Sequence, residues 1–375
     1  MHPRDITFQI HIDGRWRDAA RLTLADPDAG WRGPTRLAYE DAYVLAVDPD
    51  ITTGLRGAAA LSVRSPPSFA IHRHAHWPPF LLDLLPQGHA RTVLTDSLGL
   101  PRDAPASEAP LLLRAGGSPI GNIRVRQAWD AERKRLSGKS HPGLTPEQVF
   151  ARDGAFTELA RDASALASGS SGVQGAWPKL LLTRNRDGRW LPDPMVPDAE
   201  ATEHAIVKWV GDRHPATGLI LASEAPYLEL ARAFGLRCAG ALGHRDGTLL
   251  IPRFDRQVAH GKVIRFGQES IVSAAGIAGF GHQAAHEDYL HVIKTVCDDP
   301  AIEVTEYVLR DVLNLALGNP DNHGRNTALR KAPDGSVRLT PVYDFCPMRL
   351  EPGGIARSTT WRCMRLPNGP SRDLT

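Results

Sequence analysis

Asn319-Pro320-Asp321-Asn322-His323-Gly324-Arg325-Asn326 places an Asn five residues after an Asp, and Tyr343-Asp344-Phe345 supplies a second Asp shortly afterwards. That spacing suits phosphoryl transfer. The chemistry needs a carboxylate to accept a hydroxyl proton, an amide oxygen five residues on for a metal, and a later carboxylate for a bridging Mg2+. Magnesium takes oxygen ligands from hard side chains, while the base must stay free to face its nucleophile. Asn-Pro-Asp-Asn-His-Gly is also sound turn chemistry, and taken alone the string supports that reading equally.

Other stretches shift the balance toward phosphate. Ser168-Gly169-Ser170-Ser171-Gly172-Val173-Gln174-Gly175 is a small-residue loop running into the apolar, strand-like Leu180-Leu181-Leu182. Glycine and serine let backbone N–H groups close on a polyphosphate, although the Gly-Lys-Ser/Thr of a Walker loop is absent. Glu203 to Trp209 alternates as a strand and carries Lys208, which can reach phosphates; the plainer reading is a solvated edge lysine. Leu250 to Arg256 reads as a strand ending at charged residues, where a hinge between two lobes fits. Asp255 and Arg256 serve equally well there as an ion pair holding the junction.

In order and identity these motifs resemble the HipA family of serine/threonine kinases, the toxin components of bacterial toxin-antitoxin pairs. The resemblance covers most of the chain. It rests on Pro178-Lys179 after the Gly/Ser loop, Arg253-Phe254-Asp255-Arg256, Gly318 through Asn326, and Pro341-Val342-Tyr343-Asp344. Weaker agreement comes from Leu84-Leu85-Pro86-Gln87-Gly88 and from Tyr227 to Gly235. It implies an α+β fold with a two-lobed protein-kinase-like core, an N-terminal β-rich accessory domain and a mainly helical C-terminal lobe. The implied divisions are 1–130 for the accessory domain, 131–150 for a linker, 151–256 for the kinase N-lobe with its phosphate-covering loop, and 257–375 for the C-lobe with the catalytic and metal-binding loops.

The same resemblance implies ATP and Mg2+ as cofactors. Asp321 becomes the general base toward a protein hydroxyl, Asn326 and Asp344 the metal ligands, and Lys208 a contact to the nucleotide phosphates. Ser171, Gly172, Val173 and Gln174, with Lys179, would cover those phosphates, and Pro252, Arg253 and Phe254 would border the adenine. Tyr343 and His323 complete the nucleotide-side set, with loop geometry as the plainer role for His323. Gly175-Ala176-Trp177 intervenes before Pro178 as in a longer-loop version of the family, so the autophosphorylated serine falls among Ser168, Ser170 and Ser171. The implied partners are a helix-turn-helix antitoxin of HipB type, through which alone DNA is approached, and a protein substrate from translation such as an aminoacyl-tRNA synthetase. Thr375 follows soon after Asp344, where the family pattern continues with further helices, so a shortened C-terminal lobe is expected. Two alternatives stand beside this reading. One is a phosphotransferase acting on a small-molecule hydroxyl, since the same base and metal ligands serve any hydroxyl; the other is a catalytically silent antitoxin-binding, DNA-associated partner.

The elements that must position these residues follow from periodicity. Phe8, Ile10 and Ile12 alternate before Asp13-Gly14, and Val44-Leu45-Ala46-Val47 and Leu111-Leu112-Leu113 read as further short strands, with Phe80 to Leu85 helical between them. Arg133 to Gln148 is the linker stretch. Beyond it come strands with a helix over Ala222 to Phe234, then a strong helical pattern over Glu303 to Leu317 that Gly318 ends, delivering the Asp321 loop. Leu339 to Tyr343 reads as a short strand presenting Asp344. A length of 375 residues allows two or three compact units, and a net charge of +2 gives no broad field for nucleic acid. Met1 to Asp5 opens no signal-peptide core and no apolar run is long enough for a bilayer, so a cytoplasmic protein with no membrane association is expected. Four cysteines without Cys-x-x-Cys spacing read as reduced packing residues. His72, His74 and His76 fall on one strand face, read as a polar face rather than a metal site because no Cys or acid accompanies them. Serine-hydrolase chemistry lacks its Gly-x-Ser-x-Gly elbow.

Overall fold

A computed structural model describes residues 4–50, 57–166, 177–211 and 214–364. Its first hairpin joins β1 (Asp5–Ile12) to β2 (Arg15–Leu24), with Ile12 opposite Arg15. Asp13 and Gly14 between them both sit at positive φ, 51° and 73°, as a two-residue turn matched to strand twist requires. Alternation along β1 buries Ile6, Phe8 and Ile10 completely. β3 (Thr35–Tyr39), α1 (Asp41–Val47), β4 (Ile71–His74), α2 (Phe80–Asp83), α3 (Gly88–Leu98), α4 (Glu108–Ala115) and β5 (Ile123–Val125) follow. The strands form an antiparallel sheet in the order β4-β3-β2-β1-β5, and Phe80 of α2 packs edge-on against Phe8.

Two apolar runs expected as strands are helical. Val44 to Val47 lies in α1, where Tyr43 and Val44 are buried and Leu45 is 50 % exposed; Leu111 to Leu113 lies in α4, whose buried Ala109, Leu111, Leu112 and Ala115 recur at helical spacing. Runs this short carry no period that separates a buried strand from a helix.

α5 (Arg126–Leu136), α6 (Pro146–Ala151) and α7 (Gly154–Leu166) lead to a second sheet. α6 opens on a capping box between Thr145 and Gln148. The sheet comprises β6 (Lys179–Arg184), β7 (Trp190–Pro192), β8 (Glu203–Trp209) and, after α8 (Pro215–Ala233), β9 (Gly243–Arg245) and β10 (Thr248–Pro252), ordered β7-β6-β8-β10-β9 with antiparallel neighbours. Leu180, Leu182, Ala205 and Val207 share a core with Phe156 and Leu159 of α7. The two-residue strand period therefore turns Lys179, Ile206 and Lys208 to the opposite face, where they line a cleft.

The rest is mainly helical around small sheets. A hairpin of β11 (Arg256–Ala259) and β12 (Lys262–Arg265) precedes β13 (Gly267–Ser270), α9 (Ile271–Ala274), β14 (Ala284–Ala285), α10 (His286–Val296), α11 (Pro300–Ala316), β15 (Ala328–Lys331), β16 (Val337–Leu339) and β17 (Thr359–Thr360). β13, β15 and β16 pack with the helices through Ile271, Tyr289, Ile293, Tyr307, Leu329 and Leu339. α11 closes with Gly318 at φ 67° and the Asn319 N–H bonded back to the Asn314 carbonyl at 2.8 Å, a helix stop that aims the following loop. β16 ends at Leu339, short of the strand expected to reach Tyr343; Val342 continues the extended path by bridging to Cys238 and donating its N–H to the Arg237 carbonyl at 2.8 Å. The fold is α+β, with a β-rich N-terminal region, a second five-stranded antiparallel sheet and a mainly helical C-terminal part. Among the described residues no helix is long and apolar enough to cross a membrane.

Candidate active site

The cleft beneath the second sheet measures about 1080 Å³ counted out to its mouth, and it is bounded by β6, β8, the Pro252–Asp255 segment, and the loops carrying Asn326 and Asp344. Lys179 and Lys208 are register partners across β6 and β8. Like charges directly opposed in a sheet repel, so anions must stand between them. Two carboxylates do. The Lys208 Nζ donates to Glu224 of α8 at 2.7 Å and to Asp344 at 2.8 Å. Burial disfavours the Lys208 ammonium, but Asp344 and Glu224 outweigh it and raise its pKa above the usual lysine value. Burial would likewise raise the Asp344 carboxyl, yet Lys208 and Lys179 hold it well below the ordinary carboxylate range. Glu224 is pushed up by burial in spite of Lys208, and Lys179 is lowered by burial against the pull of Asp344. The Glu224 side chain is 2 % exposed and that of Asp344 24 %, so Asp344 is the carboxylate that still has an open side.

Asp344 sits at φ 52°, a left-handed conformation that costs a non-glycine residue on the order of 1–3 kcal/mol and marks a position held by its surroundings. Part of that hold is Tyr343, whose hydroxyl donates to the Arg325 carbonyl at 2.7 Å and ties the two loops together. In the first loop the Asp321 N–H donates to Asn319 Oδ1 at 3.2 Å, the Asn326 amide donates to the Asp321 carbonyl at 2.9 Å, and His323 Nε2 lies 3.4 Å from Asp321 Oδ1. Burial raises the Asp321 carboxyl; a charged His323 opposes that, and Asp344 adds to it. The Asn322 amide braces the loop from behind, donating to the Thr359 carbonyl at 2.7 Å and accepting the Thr359 N–H at 3.2 Å. Asp321, Asn326 and Asp344 also line a second hollow of about 550 Å³, while Asn326 and Asp344 border the first cleft as well.

Pro252, Arg253 and Phe254 border the cleft, and the Phe254 ring lies 5.7 Å from that of Tyr343. The Arg253 guanidinium is buried in an ion cluster with Asp193 and Asp255, which Arg256 joins through Asp193 at 2.8 Å. Asp255 also accepts the Gly121 N–H at 2.8 Å, so this cluster joins the Pro252–Asp255 segment to the N-terminal region. Trp177 places its ring 4.8 Å from Lys208 Nζ. Ser168, Ser170, Ser171, Gly172, Val173 and Gln174 lie outside the described residues.

Three participants escaped the sequence reading: Glu224, Asp193 and Asp83. Asp83 accepts from the Ser270 N–H at 2.9 Å and the Ser270 hydroxyl at 2.8 Å, and pairs with Arg325. Asp83 carried a signal, being a lone acid inside an apolar helical run, where a charge is buried only with a partner; Glu224 shares its helix with the exposed Glu229, so it stood out less.

The donor set fits a magnesium-bound nucleotide. The Asn326 amide nitrogen is spent on the Asp321 carbonyl, which leaves its oxygen as a ligand beside the Asp344 carboxylate. One carboxylate and one amide oxygen are what Mg2+ takes when substrate phosphates supply the rest. Among the described residues no group of three or more His, Cys, Asp or Glu side chains could hold a metal ion, and His72 and His74 instead stack with centroids 6.5 Å apart.

Comparison with known proteins gives a consistent picture. The HipA-like C-terminal domain model matches residues 171–369, and the HipA N-terminal domain model matches residues 34–126. Y4mE of Sinorhizobium fredii (strain NBRC 101917 / NGR234), whose name describes a candidate kinase, is 27% identical over 84% of this chain and 72% of its own length. Y4dM of the same organism, named likewise, is 24% identical over 84% of this chain and 72% of its own. Among solved structures, HipA of Shewanella oneidensis MR-1, in complex with HipB and operator DNA, superposes with a TM-score of 0.60 at 17% identity, covering 93% of this chain and 78% of that one.

Proposed function

The chain belongs to the HipA family, and from that membership and the geometry of the cleft we propose that it is an ATP- and Mg2+-dependent serine/threonine protein kinase. The observation that carries this reading is the bridging of Lys208 between Glu224 and Asp344, within a cleft whose loops also present Asp321 and Asn326. Kinase catalysis depends on a strand lysine paired to a helix glutamate and on a metal-binding Asp, roles that the Lys208–Glu224 pair and Asp344 fit.

In this reading Lys208 and Lys179 hold the nucleotide phosphates, and residues 171–174 cover them. Pro252 and Phe254 flank the base; Arg253 serves mainly by fixing that segment through Asp193 and Asp255. Asn326 and Asp344 hold the magnesium, which supplies charge neutralisation at the phosphates. Asp321, with its raised pKa, accepts the proton of the attacking hydroxyl. The divisions at 1–130, 131–150, 151–256 and 257–375 belong to the same proposal, as does autophosphorylation at Ser168, Ser170 or Ser171. A HipB-type helix-turn-helix antitoxin is the proposed partner, supported by the composition of the Shewanella complex, and a translation component such as an aminoacyl-tRNA synthetase is the proposed substrate.

The test is phosphoproteomics after induced expression of the wild-type chain and of Asp321→Asn, with purified protein assayed in parallel. New protein phosphosites are expected with the wild type, and transfer in the variant should fall by roughly 10²–10⁴-fold with nucleotide binding retained. Equal phosphorylation by the two would overturn the assignment of the base. Phosphate transfer to a small hydroxyl compound alone would favour the small-molecule alternative.

A further inference from the structure

On the other side of the Arg253–Asp193–Asp255 ion cluster from the cleft, a cavity of about 1670 Å³ counted out to its mouth opens between the N-terminal region and the second sheet. Trp16 of β2, Arg124 of β5, Trp129, Arg133 and Lys134 of α5, and Arg265 of β12 lie on its wall. Arg124 is held between two indoles, 4.1 Å from the Trp16 centroid and 4.3 Å from that of Trp129. Both faces of its guanidinium are thereby covered, so its donors act in the plane; one, Nε, reaches Gln9 Oε1 at 2.8 Å. Burial, with Arg265 beside it, lowers the Arg124 pKa to about 9, which leaves it charged at neutral pH.

The carboxylates around this cavity are already engaged. Asp130 pairs with Arg126 at 3.8 Å, Asp193 with Arg253 and Arg256, and Asp198 with Arg265. Arg124, Arg133 and Lys134 make no ion pair among the described residues, whereas Arg256 is paired with Asp193 and Asp255 and Arg265 with Asp198. Arg124, 7% exposed, is thus a buried guanidinium with no carboxylate paired to it, which is costly unless an anion arrives. Five cationic side chains against three carboxylates leave two positive charges on the wall.

We propose that this cavity binds a small phosphorylated ligand as its dianion, with Arg124 as the in-plane anchor and Arg133 and Lys134 at the mouth. Guanidinium edges and ammonium groups are the donors that phosphate oxygens select.

The experiment is calorimetric titration of inorganic phosphate into the full chain at constant ionic strength, with and without saturating ATP. The proposal expects saturable binding that ATP leaves unchanged. It expects affinity to drop about tenfold or more in Arg133→Ala/Lys134→Ala, a surface variant that should fold normally, and again in Arg124→Gln. Absence of saturable binding, competition by ATP, or equal affinity in the Arg133/Lys134 variant would each overturn it. Because ATP binding is read in the same samples, failure here is separable from failure of the kinase assignment.

Discussion

Asp83 of α2 forms an ion pair with Arg325, four residues beyond Asp321, so the N-terminal region reaches directly into the loop proposed to do the chemistry. The same carboxylate caps α9 through Ser270, while Arg325 donates to the Gly279 carbonyl at 3.1 Å and lies over the Phe280 ring. The N-terminal region is thus part of the scaffold of the loop rather than an appended module.

Removing that carboxylate should therefore damage a distant site. Asp83→Ala strands a buried Arg325 without its counter-charge, and breaking such a pair costs about 3–5 kcal/mol. Asp83→Asn keeps the acceptor for Ser270 and should cost less. Denaturant unfolding together with turnover measures both. A stability and rate equal to wild type in Asp83→Ala would mean the pair positions nothing.

The Lys208 bridge gives a second expectation. Glu224→Gln retains a hydrogen-bond acceptor but leaves Asp344 as the single carboxylate paired with Lys208, so Lys208 should be drawn toward Asp344 and away from the phosphates. Turnover should fall by at least about tenfold, equivalent to about 1.4 kcal/mol of barrier, with the fold retained by circular dichroism. Undiminished turnover would show that the Lys208–Glu224 contact is only structural.

A third expectation concerns pH. A base works deprotonated, and burial raises the Asp321 carboxyl above its ordinary value of about 3.9. Activity should accordingly be lost on acidification at a higher pH than an exposed carboxylate would give. A protonated His323 counteracts the rise, so His323→Gln should move the acid limb of kcat/KM further upward. A limb that moves downward, or stays fixed, would detach His323 from the titration of Asp321.

What the sequence made legible was local. Asp321, Asn326 and Asp344 sit in short motifs whose spacing fits phosphoryl transfer and turn chemistry alike until the other motifs are added, and the strand period of β8 points Lys208 into the same cleft. Their partners were not legible, because each is brought in by tertiary packing: Glu224 is 16 residues from Lys208, Asp193 60 from Arg253, and Asp83 242 from Arg325. The strands expected at Val44 and Leu111 failed for a related reason, since a run of three or four apolar residues fits a buried strand and one helical turn equally well. Arg253 shows a third kind of gap. The motif marks it as important, yet only the structure reveals that its charge is consumed by Asp193 and Asp255.

The last expectation tests how tightly the Asp321 loop is seated. Gly324 packs so closely that a Cβ there would run into the Tyr289 hydroxyl and the Val272 side chain, both on the helical core behind the loop. Neither neighbour is the free end of a long, adaptable side chain: Tyr289 and Val272 are buried in the cluster that also holds Ile271 and Ile293. Gly324→Ala should therefore displace the loop rather than the core, at a cost of about 1–3 kcal/mol typical of overpacking, and turnover should fall although no reacting group has been removed. Tyr289→Phe deletes the nearest atom, so the double variant should recover part of both stability and rate, read by thermal melts and phosphoryl transfer side by side. If Gly324→Ala alone is as stable and active as wild type, the loop has slack that the packing denies. If the double variant is no better than the single one, the Val272 contact rather than the tyrosine hydroxyl sets the position of Asp321.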